Sequence, residues 1–339
     1  MVETPVLESP VLEAVAVTRV FDVSRLWLQR SLAGEPRRIL RAVDDVSFAI
    51  ARGTTLALVG ESGCGKSTIA RLSVGLYAPT SGSIRFEGQA LSAARAQTAS
   101  RRRMNMIFQD PYASLNPRWR VRDIVAEPIR AFRLLPARAE IRDRVGALLT
   151  QVGLSPADGD KYAHEFSGGQ RQRISIARAL SSEPEFLVCD EPTSALDVSV
   201  QAQILNLMRD LQQRLNLTYL FISHNLAVVR HMADRLGVMY LGRLVELGPA
   251  ETIFATPRHP YTRLLLDAVP NLSRIGQAKP ERYAFGGEVP SPIDPPSGCA
   301  FHPRCPLANA RCRAEKPAHT KIEDVQIACH AVAEGRTLR

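Results

Sequence analysis

Apolar positions recur along this chain with two periods, and the changes between them predict the order of elements. The largely aliphatic stretch Leu12–Val20 predicts a first strand ending at Phe21. Val46, Phe48 and Ile50 alternate with polar or small residues, a half-buried strand pattern, and Arg52-Gly53 then turns the chain. Thr55–Val59 is an unbroken β-branched and aliphatic run that suits a buried parallel strand. Phe186–Cys189 and Tyr219–Ile222 predict further buried strands. Pro79-Thr-Ser-Gly82 and a short strand, Ser83–Phe86 closing at Gly88, suggest a small antiparallel sheet beside the parallel one. Helical spacing governs the amphipathic segments from Tyr112 to about Val152, the stretch Arg171–Leu180, and Ile204, Leu207, Met208, Leu211 and Leu215. Residues 1–10 read as a frayed tail, and the arginine-rich stretch after Phe21 through Arg38 reads as a loop.

The chemistry sits where the buried strands end. Gly60-Glu-Ser-Gly-Cys-Gly-Lys-Ser67 completes G-x-x-x-x-G-K-[ST] between a strand and a helix expected near Lys66. Glycines at 60, 63 and 65 let the backbone curl until several N–H groups face phosphate oxygens, which the helix N-terminus also favours. Lys66 would reach the β- and γ-phosphates and Ser67 would ligate Mg²⁺. Ser167-Gly168-Gly169-Gln170 opens a helix and again offers backbone N–H groups to an anion. Asp190 and Glu191 end a strand; the first can hold Mg²⁺ and the second can polarise an attacking water. Without the phosphate loop they would read as solvated acids capping a turn. His224 ends a buried strand, at the edge where α/β sheets place ligands.

Taken together, these motifs resemble the ATP-binding cassette ATPases, the nucleotide-binding subunits of ABC transporters, over about residues 12 to 250. The resemblance implies an α/β P-loop NTPase fold with a RecA-like parallel-sheet core, an antiparallel β subdomain and a helical subdomain at about 110–180. This cassette would occupy residues 1–270, followed by a cysteine-bearing extension over 271–339. By the same resemblance Gly60, Ser62, Gly63, Cys64, Gly65, Lys66, Ser67 and Thr68 form Walker A. Gln109 is the Q-loop glutamine and shares Mg²⁺ with Ser67 and Asp190. Ser167, Gly168, Gly169 and Gln170 are the signature, preceded by Phe166 where leucine is commoner. Phe186–Glu191 matches Walker B, Ser194–Asp197 the D-loop, and His224 the switch histidine, with Glu191, His224 and Lys66 as the catalytic groups. Phe21 is the expected adenine-stacking aromatic, with Trp27 as the alternative. Two such subunits would pair head to tail around two ATP molecules.

Local stretches narrow the resemblance to dipeptide and oligopeptide importers: Gln109–Pro117, Ser194–Gln203 and His259–Leu266, the last beginning a helix with Pro260 in its first turn. The Gly-Cys-Gly form of the phosphate loop resembles the second ATPase of such importers, which implies a heterodimer with a sister ATPase rather than a homodimer. It also implies two transmembrane permeases, an extracytoplasmic peptide-binding protein and a place on the cytoplasmic face of the cell membrane. Nickel, sugar or glutathione import and a non-transport ABC ATPase are the competing readings. Long coiled-coil insertions, zinc modules or a second cassette would favour the last, and the short interval from Lys66 to Gln109 contains none.

The C-terminal part adds a separate chemistry. A proline-rich run, Val289–Pro296, leads to Cys299, Cys305, Cys312 and Cys329, four of the six cysteines. In a cytosolic chain a metal site is the natural alternative to disulfides. The spacing lacks a C-x-x-C pair and is poor for a zinc ribbon, whereas four thiolates suit a [4Fe-4S] cluster, as the tail's resemblance to peptide-importer ATPases implies. Zinc and free thiols remain the alternatives, with His302, His319 and His330 as substitute ligands.

Composition changes this picture little. With 339 residues, 45% hydrophobic and 23% charged, the chain is an ordinary globular protein, and no apolar run reaches the ~18 residues of a membrane span. The acidic, proline-bearing start does not read as a signal peptide. The net charge of +9 is scattered in pairs such as Arg37-Arg38, which suits a solvated face near an anionic membrane; no nucleic-acid partner is expected.

Overall fold

Two sheets carry the molecule, and the longer is organised around the strand that feeds the phosphate loop. The computed structural model describes residues 10–24, 36–91, 100–268 and 287–336. The expected N-terminal tail up to residue 9, most of the arginine-rich loop with Trp27, and the stretch 269–286 lie outside the described residues.

Strands β1 (Leu12–Asp22), β2 (Ile39–Ile50), β4 (Ser81–Phe86) and β5 (Gln89–Ala90) form an antiparallel sheet in the order β2-β1-β4-β5. The second sheet has eight strands among the described residues. Its centre is parallel: β9 (Arg235–Tyr240), β3 (Thr55–Val59), β8 (Thr218–Ile222), β7 (Phe186–Asp190) and β6 (Met104–Ile107) lie side by side in that order. On the β9 edge, β10 (Arg243–Pro249), β12 (Val325–Ile327) and β11 (Thr320–Ile322) continue it antiparallel. The C-terminal hairpin β11-β12 therefore extends the sheet that holds the phosphate-loop strand. No local pattern in the sequence predicted that pairing.

The unbroken apolar runs are explained by burial on both faces. Leu56, Leu58, Phe186, Val188, Leu220 and Ile222 point into a core shared with the antiparallel sheet and with helix α1 (Lys66–Ser73). Ala57, Val59, Leu187, Cys189, Tyr219 and Phe221 alternate with them and enter the opposite core. That second core contains residues of the helical insertion: α2 (Pro111–Ser114), α3 (Val121–Ala131), α4 (Arg138–Gln151) and α5 (Gly168–Leu180), whose Ile124, Leu148 and Ile174 are buried there. It continues through α6 (Val198–Leu215) and α7 (Leu226–Met232) to Phe301 and Cys329 of the C-terminal part.

Helix α5 begins three residues earlier than the apolar spacing predicts. Ser167 accepts an N–H from Gln170, and the Gln170 side chain accepts the N–H of Ser167, a reciprocal cap that draws the two glycines into the first turn. Helix α6 ends at Asn216 in the left-handed region, φ 51°. Two short helices follow β10: α8 (Ala250–Ala255) and α9 (Pro260–Asp267), the latter with Pro260 in its first turn as expected. The C-terminal part adds α10 (Ala310–Ala314) and α11 (His330–Ala333). Among the described residues, no helix is long and apolar enough to cross a membrane.

Candidate active site

The loop between β3 and α1 needs its glycines for stated reasons. At Gly60, with φ 150°, an added Cβ would sit 2.2 Å from the carbonyl oxygen of Met239. At Gly65, with φ 105°, it would meet the carbonyl oxygen of Ala42 at 2.2 Å. Both residues combine a positive φ with a close backbone approach, so a side chain is excluded twice over. Lys66 is only 6% exposed, and its ammonium turns back on the loop, donating to Gly60 O at 2.8 Å and Glu61 O at 3.1 Å. Cys64 Sγ lies 3.7 Å from the same nitrogen, and burial pushes its thiol up, keeping it neutral.

The strand ends bring the acids to this loop. Ser67, the second residue of α1, donates its hydroxyl to Asp190 Oδ1 at 3.1 Å. Burial raises the Asp190 carboxyl and the Glu191 charge raises it further, while the Ser67 hydrogen bond works in the other direction. The charges of Arg71 and Lys66 also favour the ionised form, and a buried carboxylate beside a hydroxyl offers the oxygen ligands that suit Mg²⁺. Ser67 and Asp190, two of the three residues expected for the metal, are thus placed to hold it, while Gln109, the third, bonds Glu191 instead.

Glu191 stands just past β7 at φ 48°, in the left-handed region that a side chain normally avoids. Its N–H donates to Ile222 O at 2.9 Å, which locks the turn to the end of β8. The carboxylate gathers two other expected groups: Gln109 Nε2 donates to Oε2 at 2.9 Å, and His224 Nδ1 lies 3.2 Å from the same oxygen. Gln109, Glu191 and His224 come from the ends of β6, β7 and β8, adjacent parallel strands, and so meet at one sheet edge.

The signature residues bond locally. Ser167 and Gln170 cap their own helix, Gly168 would place a Cβ 3.4 Å from Leu196, and Gly169 would place one 2.4 Å from Val200. Among the described residues no hydrogen bond joins this cap to residues 60–68. Asp197 caps α6, accepting from Val200 N at 2.9 Å and from the Ser199 hydroxyl at 2.7 Å. Arg171 lies 3.8 Å over the Tyr112 ring, joining the signature helix to the short helix after Gln109. Phe21, next to last in β1, lies edge-on to Tyr77 at 5.6 Å, with the Arg19 guanidinium 4.6 Å over its ring. Ser62, Gly63 and Thr68 lie in the loop and first turn as the spacing requires.

Two contacts escaped the motifs. Arg304 forms a two-pronged ion pair with Glu61, Nη1 to Oε2 at 2.8 Å and Nη2 to Oε1 at 3.0 Å, and the Tyr261 hydroxyl accepts the Glu61 N–H at 2.9 Å. Both partners lie 200 or more positions along the chain, in stretches whose local pattern carries no signal for the contact.

The four C-terminal cysteines share a neighbourhood. Burial pushes Cys299 to about 11 and Cys305 to about 12, and the charges of the other thiols add to both shifts. The N–H of Cys299 donates to Cys312 O at 2.8 Å, and Arg336 reaches the Cys312 sulfur at 3.8 Å. Proximity is not a ligand shell, however. Among the described residues no group of three or more His, Cys, Asp or Glu side chains is disposed to hold a metal ion, so the thiols as arranged do not fit the expected cluster or zinc.

Comparison with known proteins agrees with this geometry. A family profile described as ABC transporter matches residues 43–194, and one described as oligopeptide/dipeptide transporter, C-terminal region, matches 245–312. The oligopeptide transport ATP-binding protein AppF of Bacillus subtilis is 47% identical over 327 residues, covering 95% of this chain and 98% of the relative. The di/tripeptide transport ATP-binding protein DppF of Pseudomonas aeruginosa is 50% identical over 322 residues, covering 94% and 97%. Among solved structures, cbiO1 of Clostridium perfringens, part of the ABC transporter complex cbiONQ, superimposes with a TM-score of 0.61 at 28% identity over 73% of this chain and 92% of its own. The cassette MJ0796, solved as a post-hydrolysis dimer bound to ADP and Pi, also gives 0.61, at 25% identity over 70% and 98%.

Proposed function

The chain belongs to the ATP-binding subunits of ABC transporters, ATPases by family, and from that premise we propose that it couples ATP hydrolysis to the import of di- and oligopeptides. The observation that carries the peptide reading is the identity of 47% and 50% to two peptide-transport subunits across nearly the whole chain, C-terminal region included.

In this reading the loop Gly60–Thr68 wraps the ATP phosphates with its N–H groups, and Lys66 leaves the carbonyls of Gly60 and Glu61 for phosphate oxygens. Ser67, Asp190 and Gln109 would hold Mg²⁺, which would neutralise charge on the phosphates. Glu191 takes the proton of the attacking water, and His224, whose Nδ1 lies 3.2 Å from the same carboxylate, positions water and γ-phosphate. The cap Ser167–Gln170 and Asp197 serve a partner cassette's nucleotide, which accounts for their local bonding within this chain. Phe21 stacks on adenine. The partner cassette is a sister ATPase; two permeases, a peptide-binding protein outside the membrane and a site on the cytoplasmic face complete the assembly.

The chain divides, on this reading, into a cassette over 1–270 with its helical subdomain at about 110–180, and an extension over 271–339. Separate profile matches support two parts, although the C-terminal one begins at 245 rather than 271, and the hairpin β11-β12 ties the extension into the cassette's sheet. The thiols Cys299, Cys305, Cys312 and Cys329 are the extension's candidates for a [4Fe-4S] cluster, with zinc as the alternative. Their shared neighbourhood supports that reading and their arrangement counts against it. No step of transport is routed through them.

The test is a pull-down of the tagged chain from detergent-solubilised native membranes, with partners identified by mass spectrometry. Two polytopic permeases, a sister ATPase and a peptide-binding protein are the expected partners. Permeases with a nickel-, sugar- or glutathione-binding protein would change the cargo. Ribosomal or DNA-repair partners without permeases would overturn transport and leave the ATPase standing.

A further inference from the structure

We propose that Arg304 is a positioning residue of the phosphate loop, so that the C-terminal region sets how tightly this chain holds ATP. The inference rests on the reading that the loop Gly60–Thr68 binds ATP.

Glu61 is the second residue of that loop, and three of its groups are occupied. Its N–H donates to the hydroxyl of Tyr261 on α9. Its carbonyl oxygen accepts from Lys66 Nζ at 3.1 Å. Its carboxylate takes both terminal nitrogens of Arg304, which ends the 3₁₀ turn His302–Arg304 of the C-terminal part. The residue that braces the lysine is thus itself braced from 200 and 243 positions away.

Arg304 is not a mobile surface cation. Its side chain is 10% exposed and lies against an aromatic wall, 5.9 Å from the Tyr240 ring centre and 5.8 Å from that of Phe301. Those rings pack on each other at 5.2 Å and on Tyr261 at 4.7 and 5.4 Å, and all three are buried. A planar guanidinium held against tilted and edge-on rings and meeting a carboxylate with two parallel bonds has lost little freedom in making them, unlike an exposed lysine pair.

Two consequences favour nucleotide. A loop with glycines at 60, 63 and 65 has much backbone freedom to lose on binding, and bracing Glu61 removes part of that loss beforehand. The pair also neutralises a carboxylate that would otherwise sit within the anion-binding loop and repel the triphosphate. Both effects act on affinity, and neither touches the water-activating groups at Glu191 and His224.

The test uses the full-length chain. MgATP affinity is measured with a fluorescent ATP analogue, and KM and kcat by steady-state hydrolysis, for the parent, Arg304→Ala, Arg304→Lys, Glu61→Gln and the double variant Glu61→Gln/Arg304→Ala. Arg304→Ala is expected to weaken analogue binding about tenfold and to raise KM far more than it lowers kcat. Arg304→Lys, which keeps the charge without the fork, should recover part of the affinity. In the Glu61→Gln background, removing Arg304 should change affinity by less than about twofold, because the two side chains act as one unit. Should Arg304→Ala fail to fold, Arg304→Lys in the two backgrounds gives the same comparison. Parent-like affinity in the Arg304 variants, or an equal loss with and without the Glu61 carboxylate, overturns the proposal. Failure of the parent itself to bind the analogue would instead overturn the nucleotide site on which it rests.

Discussion

Glu191 Oε2 lies 3.2 Å from His224 Nδ1 and receives the Gln109 side-chain amide on the same oxygen. One carboxylate oxygen thereby joins groups from three strand ends. Glu191→Gln keeps the shape but loses the negative charge that could accept a proton from water. ATP hydrolysis should fall at least about a hundredfold while ATP binding changes only a few-fold, leaving an ATP-bound dimer. Steady-state ATPase assays with size-exclusion chromatography check this, and unchanged turnover would refute the assigned role.

The Ser67–Asp190 contact makes a separate prediction about metal. Asp190→Asn retains a hydrogen-bonding partner for Ser67 but removes the charge that burial already penalises. The Mg²⁺ concentration giving half-maximal hydrolysis should rise about tenfold or more, and Ser67→Ala should raise it less. A magnesium titration of both variants decides the matter; curves overlaying the parent's would remove these residues from the metal site.

The C-terminal thiols are tested by their metal content. An anaerobic preparation that carries a cluster is brown, holds about four iron atoms per chain and loses them in Cys305→Ser. Iron below stoichiometry in the parent, or iron retained in that variant, would reject these thiols as ligands, and stoichiometric zinc would select the alternative.

Acid should destabilise the chain through His259. This residue is 1% exposed, caps α9 by accepting the Tyr261 N–H on Nδ1 at 3.0 Å, and burial pushes it down to about 3 from an ordinary 6.5. Between those values the unfolded chain binds a proton that the folded chain does not, so stability falls as pH falls from about 6.5 towards 3. The slope from this one group reaches at most about 1.4 kcal/mol per pH unit. Neighbouring Glu246 is raised by burial, so between its unfolded and folded values it acts in the opposite direction. His259→Asn keeps a capping side chain without a proton to gain, and denaturant melts across that range should show a shallower acid slope. The same slope as the parent would exclude His259 as the cause.

The nucleotide machinery was legible in the sequence because its chemistry is local. The spacing Gly60, Gly63, Gly65, Lys66 needs only a strand, a turn and a helix start, and unbroken apolar runs such as Thr55–Val59 require burial on both faces wherever they occur. Asp190, Glu191 and His224 could be placed at strand ends for the same reason. Apolar spacing places α5 only from Arg171, because a reciprocal cap and not that spacing sets its start at Gly168.

Which strand ends become neighbours was decided only by tertiary structure. The order β9-β3-β8-β7-β6 puts Gln109, Glu191 and His224 on one oxygen, and nothing in any of the three segments encodes that order. The bracing of Glu61 by Arg304 and the hairpin β11-β12 on the main sheet belong to the same class. A periodic pattern records the face each residue must bury. It carries no record of which distant segment supplies that face, because hydrophobic burial is non-directional and the choice among partners is made by packing the whole chain at once.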